Sequence, residues 1–218
     1  MVTRALILAN IAAWLFELSL GDGMADFLRE WGVVPGRLFA SLSGDTSMPV
    51  ELATVFTSMF LHGGWMHLIG NMWYLWIFGD NVEDRLGHGR FVAFYLLCGI
   101  VASFGQIVLD PGSTLPMIGA SGAIAGVMGA YFVLYPQSRV LTLIPLIIFW
   151  EIVELPAIML LGFWFLMQLF SAGAIAVTAS TGGGSGGVAF MAHVAGFVVG
   201  MIGVLVFRKR QRPEPWSY

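Results

Sequence analysis

The sequence predicts an all-α polytopic membrane protein, a six-transmembrane-helix bundle with a short, buried-start fourth helix. Three observations carry this. Of 218 residues, 58% are hydrophobic and only 11% charged, and the mean hydropathy is +0.84. Several apolar runs approach or reach the ~20 residues that cross a bilayer. The fourth run, Ser121 to Tyr135, is too short to cross. Its serine must therefore start beneath the outer surface, where protein or a wet cavity covers the irregular backbone before it.

The elements follow in order. The run from Ala5 to Leu20 is preceded by Arg4, as in a signal peptide, but no small-x-small cleavage site stands before Gly21, and five spans follow. It is read as a retained first span. Residues 21–50 mix Asp22, Asp26, Arg29, Glu30 and Arg37 with Trp31 and Phe39, as expected of a loop with amphipathic pieces on the membrane surface. The second span is placed at Val55–Gly79, followed by a polar turn from Asp80 to Arg90, and the third at Phe91–Leu109. A proline-bearing loop, 110–116, leads to the fourth. Val140–Trp150 is apolar, too short to cross and interrupted by Pro145, and is read as interfacial or folded back. The fifth span is placed at Leu155–Ala176, a glycine- and serine-rich linker at Ser180–Gly187, and the sixth span at Val188–Phe207. Residues 1–207 thus form one six-span membrane domain, and 208–218 a short cytoplasmic tail.

Charge sets the expected orientation. With six spans, Arg4, Arg85, Arg90, Arg139, Arg208, Lys209, Arg210 and Arg212 share one face, and only Arg29 and Arg37 the other. The positive-inside rule puts both termini in the cytoplasm. A single cysteine, Cys98, excludes an internal disulfide. A net charge of −3 and the lack of basic runs interleaved with aromatics give no case for nucleic acid.

Polar groups inside spans are costly and mark candidate functional sites. They are few: His62, His67, Asn71, Ser121, Gln168 and His193. Ser121 lies 15 residues from the break at Pro136, His193 15 from Arg208, and His67 13 from Asp80. At the rise of a helix, all three sit roughly 20–22 Å above the inner edge of the apolar core. A serine and a histidine at one depth suggest nucleophile and general base. Asn71, one turn from His67 on the same face, makes with it a pair of donors for an oxyanion, beside the backbone N–H of Ser121. Gly119 allows the tight turn before the serine. No orienting carboxylate is in view, so the site is read as a dyad.

Packing is the competing explanation. Gly122 and Gly126 form a G-x-x-x-G, and Gly196 and Gly200 repeat the spacing on the last span, which suits close helix contact in lipid. His67 and Asn71 could simply bridge helices. A metal site at His62 and His67 is disfavoured, because a spacing of five does not put both on one helical face. His62 and His88 are read as a loop-edge and a turn residue. No cofactor or metal is expected.

Taken together, Thr57, Phe60-Leu61-His62-Gly63-Gly64-Trp65-Met66-His67, Asn71-Met72, Gly79 with Glu83 and Gly87, Gly119-Ala120-Ser121-Gly122, Gln168, and Ala192-His193 with Gly196 and Gly200 resemble the rhomboid family of intramembrane serine proteases. The resemblance runs over about 51–207, in the family's order. It implies Ser121 as nucleophile, His193 as base, and His67, Asn71 and the Ser121 backbone as oxyanion hole. It also implies hydrolysis of peptide bonds in or beside transmembrane helices of single-span substrates, without metal or nucleotide, with the fifth span and the following linker as gate and cap. The minimal six-span core looks like that of a prokaryotic inner-membrane protein. One position departs from the pattern: an arginine often stands three residues before the threonine matched by Thr57, and here it is Thr54. The alternative is a catalytically silent relative that binds membrane clients.

Overall fold

The computed structural model describes residues 1–44, 46–146, 149–180 and 188–209. The linker residues 181–187 and the tail from 210 onward lie outside these. Among the described residues the helices are α1 (Val2–Ser19), α2 (Met24–Trp31), α3 (Pro35–Leu42), α4 (Met48–Thr57), α5 (Trp65–Leu86), α6 (His88–Leu109), α7 (Ser121–Leu134), α8 (Ala157–Ser180) and α9 (Phe190–Phe207). Two strands, β1 (Arg139–Leu146) and β2 (Phe149–Pro156), stand between α7 and α8.

The bundle is built around α7. Every residue from Ala123 to Tyr131 is buried, as expected of a helix that is apolar on all sides. It packs against α5, α6, α8 and α9. Glycine makes the closest of these contacts possible. A Cβ on Gly196 would run into the carbonyl of Gly122, and one on Gly200 into that of Gly126, so α7 and α9 meet backbone to backbone. On its other side α7 meets α6, where a Cβ on Gly122 would stand 2.6 Å from the Ala102 methyl.

Polar contacts close one end of the bundle. The Glu83 carboxylate accepts the backbone N–H groups of Val2 and Thr3 and the Thr3 hydroxyl, each at 2.7 Å. A carboxylate there satisfies orphan donors at the start of α1 and complements the helix dipole. The Tyr135 hydroxyl donates to the Asn81 carbonyl at 3.1 Å, and the Lys209 N–H to the Arg85 carbonyl at 3.1 Å. The start of α1 and the ends of α5, α7 and α9 therefore lie together.

The first loop is folded rather than merely amphipathic. Arg37 donates to the Glu51 carboxylate at 2.7 Å and to the carbonyls of Arg29, Glu30 and Gly32 at 2.6–3.1 Å. Arg37 thus clasps α2, α3 and α4 together, while Thr54 turns its hydroxyl onto the Glu51 carbonyl of its own helix. The Thr57 hydroxyl donates to the Trp31 carbonyl at 2.6 Å.

Three expectations are corrected. The second span does not run over Val55–Gly79: α4 ends at Thr57, a short 3-10 turn covers Ser58–Phe60, and α5 begins only at Trp65. Gly63 and Gly64 interrupt the apolar run, and glycine is costly inside a helix. The polar turn placed at Asp80–Arg90 shrinks to Gly87, between the end of α5 at Leu86 and the start of α6 at His88. Asp80 to Leu86 continue α5, with Val82, Glu83 and Leu86 buried. The all-α reading fails at Arg139–Leu146 and Phe149–Pro156, two antiparallel strands paired from Arg139↔Pro156 to Leu146↔Phe149. Pro145 cannot continue a helix, the flanking residues are largely β-branched, aromatic or aliphatic, and the ladder satisfies the backbone.

The structure bears on the span count as well. Among the described residues, four helices are long and apolar enough to cross a membrane: Val2–Ser19, His88–Leu109, Ala157–Ala174 and Phe190–Phe207. α5 has the length but carries Asp80, Glu83, Asp84 and Arg85 in its last turns, and α7 has only 14 residues.

Candidate active site

Ser121 is the first residue of α7, so its own N–H is among those without an intrahelical acceptor. The preceding loop is held from outside the bundle. Val33 and Met117 exchange backbone hydrogen bonds at 3.1 and 2.7 Å, and Gly36 N–H donates to the Ser113 carbonyl at 2.9 Å. Gly119 N–H donates to the Ser58 carbonyl at 2.8 Å. Gly119 has φ of 121°, a region that favours glycine. A Cβ there would also stand 2.7 Å from His67 Nε2.

His193 lies in the first turn of α9, and its Nε2 is 2.8 Å from Ser121 Oγ. On the far side of the ring, Nδ1 is 2.8 Å from Gln168 Oε1. The Trp164 ring lies 5.9 Å from the imidazole, inclined at 36°. An oxygen acceptor at Nδ1 places the proton there and leaves the Nε2 lone pair facing the serine hydroxyl.

Opposite them stand His67 and Asn71, both on α5. His67 Nδ1 accepts the Gly63 N–H at 3.4 Å, which leaves Nε2–H as the donor, on the edge of the ring beside Gly119. The Asn71 amide nitrogen donates to His62 Nε2 at 3.1 Å. His62 is fully buried. Its Nδ1 donates to the Phe60 carbonyl at 3.2 Å, and its backbone N–H donates to Glu17 Oε2 at 3.1 Å. His62 thus stands in the loop just before α5, as expected, but is buried there and braces Asn71 from behind.

Ser121, His193, His67 and Asn71 all line one cavity of about 700 Å³, with Trp164, Ile124 and Met128 as apolar wall and Gln106, Asp110 and Ser113 towards the loop side. The structure thus brings together the four side chains singled out by residue type and depth. Sequence reasoning missed the roles of two more. Gln168 was visible as a polar residue inside a span, yet nothing in the spacing showed that it reached His193. For His62 the only signal was the glycine pair that follows it, Gly63 and Gly64, which argued for a loop.

An integral membrane protein with a serine hydroxyl and an imidazole paired in a cavity is the class that fold and site define. The chain belongs to the rhomboid family: the family model described as Rhomboid domain matches residues 49–210. The chain is similar to Rhomboid protease GluP of Bacillus subtilis (strain 168), 39% identical over 126 residues that cover 58% of this chain and 23% of that one. It is also similar to Presenilin-associated rhomboid-like protein, mitochondrial, of Mus musculus, 37% identical over 84 residues covering 38% and 22%. A third relative is Putative rhomboid protease YdcA of Bacillus subtilis (strain 168), 37% identical over 75 residues covering 34% and 37%. The matched part thus spans less than a quarter of the first two relatives' length and just over a third of the last.

Proposed function

We propose that this protein is an intramembrane serine endopeptidase that cleaves membrane proteins, single-span ones foremost, in or beside their transmembrane helices with a Ser121–His193 dyad. The 2.8 Å contact between His193 Nε2 and Ser121 Oγ carries this reading, and membership of a family with relatives named as proteases supports it. Ser121 Oγ attacks the peptide carbonyl carbon as its proton passes to His193 Nε2. The carbonyl π electrons move onto oxygen, and the Ser121 N–H with the donors of His67 and Asn71 receives that charge. When the carbonyl re-forms, the C–N bond breaks and the imidazolium returns its proton to the leaving amine. Water, deprotonated by the same imidazole, then releases the acyl group from Ser121.

The apolar wall around Trp164, Ile124 and Met128 suits an unwound segment of a substrate helix. The basic residues gathered near the Glu83 end of the bundle support cytoplasmic termini, which puts the Ser121 end towards the opposite surface.

A fluorophosphonate tests this directly. Purified protein reconstituted in liposomes is expected to acquire one phosphonyl adduct, mapped by peptide mass spectrometry to Ser121, and to lose cleavage of a single-span reporter in step. An adduct on another serine, or cleavage that survives full labelling, would overturn the assignment. Asn71→Ala is expected to lower kcat by roughly 10²–10³-fold, as loss of one oxyanion donor does elsewhere, with KM nearly unchanged. Unaltered turnover would remove Asn71 from the oxyanion hole.

A further inference from the structure

The catalytic pair has a third partner that a dyad does not require. Gln168 Oε1 lies 2.8 Å from His193 Nδ1, on the side of the ring away from Ser121. We infer that Gln168 is a positioning residue for the base: its side-chain oxygen fixes the His193 tautomer and ring orientation, and holds the imidazolium when the serine proton arrives. This rests on the proteolytic reading above.

The physical need is specific. A neutral imidazole carries one N–H, and only the form protonated at Nδ1 leaves Nε2 able to take the serine proton. An acceptor at Nδ1 selects that form, and in serine hydrolases a carboxylate often does so. Here the acceptor is an uncharged amide inside an apolar bundle. A carboxylate at this place would need its own desolvation offset, whereas an amide oxygen brings a dipole at smaller cost. Gln168 stands one helical turn from Trp164 on α8, so one face of that helix presents both the ring beside the imidazole and the acceptor beneath it.

The other groups around His193 do not supply such an acceptor among the described residues. Ser121 comes from α7, Trp164 from α8 and Phe190 from its own helix. The other titratable groups in the same cavity are His67 and Tyr74 of α5 and Asp110 at the loop side. Because the hydrogen bond spans α8 and α9, the base is set only while α8 is docked. The opposite amide orientation would donate to Nδ1, move the proton to Nε2 and leave the serine without a base.

The experiment compares wild type, Q168A and Q168E in liposomes. It measures kcat and KM for a single-span reporter from pH 5 to 9, the fluorophosphonate labelling rate, and the thermal midpoint. Q168A is expected to lose on the order of 10- to 100-fold in kcat and in labelling rate, with KM and midpoint close to wild type. Q168E keeps an oxygen at the same reach and is expected to recover most of the rate. Its charge holds the imidazolium more tightly, so the acidic limb of its pH–rate profile moves to higher pH. Full activity in Q168A would overturn the inference, as would a Q168E variant that falls as far as Q168A with an unmoved profile. A loss in Q168A matched by a lower midpoint and a raised KM, with no change in profile, would show a packing role and overturn it too. Wild-type protein that neither labels nor cleaves would instead sink the proteolytic reading itself.

Discussion

Ser121→Ala and His193→Ala are each expected to lower peptide cleavage by ~10⁴-fold or more, while the folded bundle survives. The two side chains act on one proton, so removing either leaves the other without a task. The double variant is accordingly expected to be no slower than the single ones, a non-additivity that separates a shared step from two independent contributions. Stability should change little. Ser121 and His193 are only partly buried, and both line the cavity. Single-turnover cleavage in liposomes, with thermal midpoints taken on the same samples, checks both halves. A His193→Ala variant that keeps more than a tenth of wild-type turnover would remove the imidazole from the chemistry.

Gly200→Ala is expected to have the largest effect on stability. One methyl on Gly200 meets the backbone of Gly126, its carbon and Cα both 2.6 Å away, and backbone cannot rotate aside as a side-chain end can. Relief requires α7 and α9 to part by ~1 Å, which loosens the seam along its length. Overpacking of this kind costs about 1–3 kcal/mol where side chains can yield, and more where they cannot. The site should suffer with it, because Ser121 and His193 are brought together by these two helices. Gly203→Ala on the same helix is the matched comparison. Its methyl would meet only the edge of the Phe94 ring at 3.3 Å, and its thermal midpoint should stay near wild type. Equal midpoints for the two variants would show that the seam does not depend on the close approach.

The expectations that failed have a common origin. Hydropathy joined Val55 to Gly79 into one span because the break at residues 61–64 is no more polar than its surroundings. The break arises from backbone chemistry at Gly63 and Gly64, and from the first loop that anchors the residues on either side. The polar residues Asp80 to Arg85 looked like a turn, yet they finish α5, because Glu83 has donors from α1 waiting for it. Such a partner comes from 80 residues away and leaves no local mark. The strand pair β1–β2 escaped for a related reason: short apolar runs carry the same signal for strand, core helix and interface.

By itself the sequence determined the class of environment, the chain's division into apolar runs, and the handful of residues able to do chemistry. Composition, run length and side-chain type are local quantities, and the cost of a buried polar group singles out Ser121, His193, His67 and Asn71 wherever they end up. What only the tertiary structure decided is which of these groups touch. The 2.8 Å contact across 72 residues, the amide of Gln168 beneath the imidazole and the His62 brace behind Asn71 depend on helix crossing and rotation. Those are set by glycine seams and by a first loop folded around Arg37, and therefore by the sum of distant contacts rather than by any one stretch of chain.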